Sequence, residues 1–170
     1  MEEEILDVVD EKDRFVRKAT RKEIRKKVLL HRVSRIIIKN DKNEFLVHRR
    51  SKNKKTFPNY WDIGIAETVK SGESYEAAAI RGLAEEVGII GVSNTQLMHS
   101  FLFKIKYNSS QTNEHCKVYE VLHNGKITAQ EEEIDDIKYL TIKKINDLIG
   151  GGHFHPLGKL AFERYLENKK

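Results

Sequence analysis

Cysteine is nearly absent: Cys116 is the one thiol in 170 residues. A single cysteine cannot close an internal disulfide, so a reducing, cytoplasmic setting is expected. Proline is almost as scarce, with two in the chain. No internal repeat, low-complexity tract or Gly/Ser-rich linker marks a boundary, so one domain over 1–170 is expected. No apolar run approaches the roughly 18 residues that a membrane-spanning helix needs, and the acidic start over 1–7 does not read as a signal peptide. A membrane is therefore not expected as a partner. The basic stretch 21–32 lacks interleaved aromatic residues and carries no nucleic-acid motif, so it reads as a solvated face.

What is present describes a globular chain, with 39% hydrophobic and 34% charged residues. The formal charge of +5 favours anionic partners, either phosphorylated metabolites or nucleic acid, and composition does not choose between them. A hairpin is expected at 5–16, turning over 10–14, and a basic helix at 21–30. Strands are expected at 34–39 and 45–49, joined by a turn at 40–43. A basic loop at 50–60 precedes an extended approach over 61–65. Further strands are expected at 97–107, 116–123 and 134–140, with a polar turn at 108–113 and an Asn-Gly turn at 123–126. Helices are expected at 142–149 and from Pro156 to Leu166, broken by three glycines. Strands interspersed with a few helices mean an α/β or α+β layer fold. The strand 97–107 has apolar residues to spare for a homodimer interface.

The chain centres on 67–89. Ser74 is placed to cap a helix whose end Gly88 closes in a left-handed turn. Ala77, Ile80, Ala84 and Val87 suit a buried stripe, with Arg81, Glu85 and Glu86 gathered near one edge. Taken alone, that pattern is equally an amphipathic surface helix with a solvated acidic end.

The spacing goes further. The stretch resembles the Nudix box, G-x5-E-x7-R-E-U-x-E-E-x-G-U with U aliphatic, matching seven of nine defined positions. Glu73, Arg81, Leu83, Glu85, Glu86, Gly88 and Ile89 fall on it, whereas Glu67 stands where the box has Gly and Gly82 where it has Glu. The resemblance implies a mixed β-sheet sandwiched between α-helices and a hydrolase cleaving a diphosphate bond in a nucleoside diphosphate derivative or related metabolite. It also implies Mg2+ or Mn2+ as cofactor, since such metals neutralise clustered phosphate charge and activate water. Glu85, Glu86 and Glu67 are the candidate catalytic residues, and with Glu133 they are the candidate metal ligands. The triplet Glu131, Glu132 and Glu133 reads equally well as a solvated acidic turn.

Arg49, Arg50, Lys54 and Lys55 suit a diphosphate clamp, or else a solvated basic loop. Glu73, Arg81 and Gly88 read as structural, the first two as an ion pair from loop to helix. Selectivity is expected in the loops 50–60 and 105–115. Elsewhere the chain is similar to isopentenyl-diphosphate isomerase, through Leu30, His31 and Arg32, the basic loop, and Pro58 to Trp61. That enzyme's thiol falls at Ala66 and a metal-binding histidine at Thr68, so isomerisation is not expected. His31 without that partner reads as structural, and His153 and His155 as loop and cap residues.

The two departures from the box invite one explanation. Glycine inside a helix costs roughly 0.5–1 kcal/mol against alanine. Gly82 is the steric complement of Glu67 if Glu67 supplies the carboxylate that the helix lacks. The alternative is a decayed site in a protein that binds nucleotides or diphosphates, or regulates through them, without turning them over.

Overall fold

The computed structural model describes residues 3–107 and 112–169. Most of the expected turn at 108–113 therefore lies outside the described residues, as does the centre of the expected selectivity loop. What is described of 105–115 is strand rather than loop.

Two antiparallel strands, β1 (Ile5–Val9) and β2 (Phe15–Thr20), form the N-terminal hairpin. A short helix, α1 (Arg21–Lys27), follows directly, capped by Thr20. It stops three residues before the expected end because Val28 takes a left-handed conformation (φ 53°). The chain then enters β3 (His31–Lys39), the centre of a seven-stranded mixed sheet. Ile36, Ile37 and Ile38 are all fully buried, because both faces of this strand are covered.

Strand β3 pairs with β4 (Phe45–Arg50) only at Lys39 and Phe45, so the two diverge. Strands β5 (Trp61–Ile63) and β9 (Ile134–Leu140) flank β4, whereas β6 (Ile65–Thr68) and the parallel β8 (Thr112–Leu122) flank β3. The chain steps from one group to the other at Gly64. A Cβ there would stand 1.8 Å from the Ile36 carbonyl oxygen, and φ is +59°, so glycine is required. This step delivers Glu67 to the middle of the fold. Strand β7 (Met98–Tyr107) closes the sheet beside β8.

The Asn-Gly turn at 123–126 does not join neighbouring strands. It begins a longer connection, and β9 pairs with β4 rather than with β8. The local turn signal is present, but the sheet position beside β8 is already filled by β3 and β7.

Helix α2 (Tyr75–Val87) covers one face of the sheet. Helices α3 (Ile142–Gly150) and α4 (Pro156–Asn168) cover the other. The mixed sheet lies between helices, as expected. Ser74 accepts a hydrogen bond from the Ala77 amide, and Gly88 closes α2 at φ +68°. The buried stripe differs from expectation. Ala77 is exposed and Ile80 and Ala84 are half-buried, while Ala78, Ala79, Gly82, Leu83 and Val87 face the sheet. The helix is rolled so that its glycine, rather than an alanine, meets β6. Burial of Leu83 and Val87 contributes roughly 1.5–3 kcal/mol each. Among the described residues no helix is long and apolar enough to cross a membrane.

Candidate metal and diphosphate site

Arg81 on α2 organises the acidic residues around it. Its Nε donates to Glu73 Oε1 at 3.0 Å and its Nη2 to Glu73 Oε2 at 2.9 Å, a two-pronged contact. Nη2 also donates to the Thr68 carbonyl at 3.0 Å. Nη1 stands 3.0 Å from Glu67 and 3.5 Å from Glu85. Three carboxylates thus share one guanidinium, whose proton they hold more tightly than usual. We expect Arg81→Leu to cost about 2–3 kcal/mol, because two half-buried carboxylates lose their partner. Urea denaturation at pH 7 measures this. A loss under about 0.5 kcal/mol would mean that the contacts behave as surface pairs.

Glu67 and Gly82 are in direct contact. A Cβ at 82 would stand 3.0 Å from Glu67 Cβ, 3.3 Å from its Cγ and 3.3 Å from Ile65 Cδ1. The side chain of Glu67 therefore occupies the space that any residue larger than glycine would claim. Burial raises the Glu67 carboxyl above its ordinary range, against the pull of Arg81.

Glu86 lies one turn further along α2. Among the described residues it has no ion pair and no side-chain hydrogen bond. Its carboxyl is pushed up to about 8, first by burial and then by the charges of Glu67 and Glu133. Glu133 lies in the turn just before β9 and is paired with Lys54 from the basic loop. Its neighbours Glu131 and Glu132 face solvent. Glu85 is 56% exposed and points along the outer edge of the helix.

The basic candidates are dispersed. Arg49 and Arg50 project to opposite faces of β4. Arg49 lies over the Trp61 ring at 6.0 Å. Arg50 folds back, donating from Nε to the Phe57 carbonyl at 3.2 Å and from Nη2 to that of Thr56 at 2.9 Å. It shapes the loop that carries Lys54 and the exposed Lys55. His155 caps α4, accepting from the Gly158 amide, and His153 is exposed in the preceding loop. Cys116 is fully buried, with its thiol pushed up to about 12 by burial. No reactive thiolate is offered there.

Among the described residues no three His, Cys, Asp or Glu side chains already form a metal cage. The arrangement explains this, since Glu67 and Glu133 are each turned toward a cation of the protein. The donors are nonetheless of the kind that hard divalent cations prefer, and the unmet repulsion at Glu86 is what such a cation relieves. Sequence pattern passes over Arg35 and Asp62, which are buried, and the half-buried Glu114, whose carboxyl the Arg35 charge reaches. The one available signal is a charged residue, Arg35, inside an apolar strand.

Comparison with known proteins adds four findings. The NUDIX domain profile matches residues 29–157. An uncharacterized Nudix hydrolase of Streptomyces coelicolor is 34% identical over 163 residues, covering 95% of this chain and 88% of the relative. A crystal structure of a Deinococcus radiodurans protein matches 94% of this chain and 98% of its own, with TM-score 0.73 and 24% identity. A bifunctional NMN adenylyltransferase/ADP ribose pyrophosphatase of Francisella tularensis, crystallised with AMP and a manganese ion, shares the fold at TM-score 0.64 and 16% identity. That match covers 79% of this chain and 40% of the other.

Proposed function

The chain belongs to the Nudix hydrolase family, and from that premise we propose a divalent-metal-dependent hydrolase acting on a diphosphate bond in a nucleoside diphosphate derivative or related phosphorylated metabolite. The observation that supports this reading best is Glu86, a half-buried carboxyl with no ion pair or side-chain hydrogen bond among the described residues, flanked by the charges of Glu67 and Glu133. A bound Mg2+ or Mn2+ would neutralise phosphate charge and acidify water.

The residues have separable roles in this proposal. Glu86 is the fixed carboxylate, and it is ionised only once its repulsion is met. Glu67 supplies the second carboxylate from β6, over the gap left by Gly82. Glu133 supplies a third when it turns away from Lys54, and the same movement frees the Lys54 ammonium for phosphate. Lys55 adds a second positive charge from the loop that Arg50 orders. Glu85 lies at the outer edge of the cluster, where it can steady Arg81 or reach the reaction site. Glu73 and Arg81 hold α2 against β6, and Gly88 ends the helix so that Glu86 sits on its last turn.

The test is product release from a panel of diphosphate-linked metabolites, with Mg2+ and with Mn2+. Metal-dependent release that chelation stops is expected. Saturable metal-dependent binding without release would replace this reading with that of a binding protein.

A further inference from the structure

On the face of the sheet opposite α2, a shallow groove of about 350 Å3 lies between β9 and α3. Cross-strand pairing builds its wall. Trp61 of β5, Arg49 of β4 and Asp136 of β9 stand in register, with Lys138 two residues further along β9. The half-buried Trp61, Leu140 and Leu148 form an apolar floor, and the exposed Lys138, Lys144 and Asp147 stand at the rim. We propose that this groove binds a nucleoside monophosphate, with the base stacked on Trp61, the base edge on Asp147 and the phosphate among Lys138, Lys144 and Arg49.

Most charges at the groove lack a counter-charge. Among the described residues Arg49, Lys144 and Asp147 make no ion pair. Arg49 Nε is also buried without a hydrogen-bond acceptor, which is a rare and costly state for a donor. Two cations attend the single indole. The Arg49 guanidinium carbon lies 6.0 Å from the ring centroid and the Lys138 ammonium nitrogen 4.9 Å from it. Lys138 also pairs with Asp136 at 3.2 Å, yet its side chain is 52% exposed, so its ammonium is free to swing from the ring to an arriving anion. Positive charges gathered around one ring repel one another, and a bound oxyanion relieves that repulsion.

Three kinds of group together select the ligand. An indole beside two leucines favours a flat ring system, and any base has a face that can stack there. The cations favour a phosphate oxyanion. The Asp147 carboxylate only accepts hydrogen bonds, so it favours a base that presents donors. Guanine offers two adjacent N–H groups on its pairing edge, one for each carboxylate oxygen, whereas adenine offers a single amino group. Guanosine alone leaves the cations unmet, and inorganic phosphate leaves the indole uncovered. Guanosine 5′-monophosphate meets all three demands, and the volume is that of a small-ligand site. The proposal does not depend on the hydrolase reading.

Trp61 is the one tryptophan of the chain, so its emission reports on this groove directly. Titration of the whole protein with guanosine 5′-monophosphate, in EDTA so that no metal takes part, is expected to quench that emission saturably with a Kd below about 1 mM. Guanosine and inorganic phosphate should compete about tenfold or more weakly. Lys138→Ala and Lys144→Ala, both at exposed positions, should each weaken binding about three- to tenfold. Asp147→Asn should erase the preference for guanosine over adenosine 5′-monophosphate. Glu86→Gln, on the other face, should leave the titration unchanged. The proposal is overturned by no quenching at about 10 mM. Quenching that both lysine substitutions leave intact would place the nucleotide elsewhere and overturn it as well. Displacement by inorganic phosphate at equal concentration would reduce the groove to a cationic surface, with the same consequence. Hydrolysis with no such binding would sink this proposal alone, and binding with no hydrolysis would sink the proposed function alone.

Discussion

Glu86→Gln is expected to lose metal-dependent hydrolysis by about 10²–10⁴-fold and, in the absence of metal, to be more stable than the parent at pH 8. The two effects share one cause. The folded protein holds the Glu86 proton up to about 8, mainly through burial and then through Glu67 and Glu133. In the unfolded chain the same carboxyl titrates near its ordinary value. A raised folded value means that this contribution is fully present below the unfolded value and is lost as the pH rises toward 8. The full shift corresponds to about 5 kcal/mol, and relaxation around the charge should leave roughly 2–4 kcal/mol.

Glutamine fills the same space and carries no titrating proton, so the variant should lack that part of the pH dependence. Glu114 is also raised, to about 7, and His155 is lowered to about 4, so the parent's own slope mixes several groups. The difference between parent and variant removes those shared terms. Urea denaturation in EDTA at pH 5, 6.5 and 8 measures it. Added Mg2+ should then stabilise the parent at pH 8 and leave the variant largely unmoved. Equal pH slopes in the two proteins would refute the placement of an unpaired Glu86 beside Glu67 and Glu133.

Gly82→Glu is expected to destabilise the protein by about 2–3 kcal/mol and to leave hydrolysis no faster, although it completes the box as a motif. A Cβ at that position meets the Glu67 side chain at 3.0 Å and Ile65 at 3.3 Å, so one of them must move. The new carboxylate also joins Glu67, Glu85 and Glu86, with Arg81 already shared among three acids. Moving the acid rather than adding one should be tolerated. Glu67→Gly combined with Gly82→Glu should recover most of the lost stability, giving a coupling of about 2 kcal/mol in a double-mutant cycle. If Gly82→Glu alone raised turnover at no cost in stability, Glu67 would have no compensating role, and decay of the site would be the better account.

The limits of α2 were legible in the sequence because they rest on local backbone chemistry. Ser74 satisfies an amide three residues on, and Gly88 takes the left-handed turn that closes the helix. The hairpins around Asp10 and Asn40 are similarly local, since polar side chains there bond to their own turns. The spacing of Glu73, Arg81, Glu85 and Glu86 was readable for the same reason, because all four lie within one loop and helix.

Contacts between distant segments were not legible. The face of α2 that turns to the sheet depends on how β6 arrives, and that depends on the step at Gly64. The pairing of β9 with β4, and hence of Glu133 with Lys54, depends on which sheet edges the other strands leave open. Arg35 and Glu114 are 79 positions apart, and only the parallel pairing of β3 with β8 brings the Arg35 charge within reach of that carboxyl. By itself the sequence determined the helix, its caps and the line of acids, because short-range hydrogen bonding and side-chain period are written residue by residue. Only the tertiary structure decided which carboxylate lacks a partner among the described residues and which glycine makes room for another, because desolvation and steric exclusion are sums over everything that surrounds an atom.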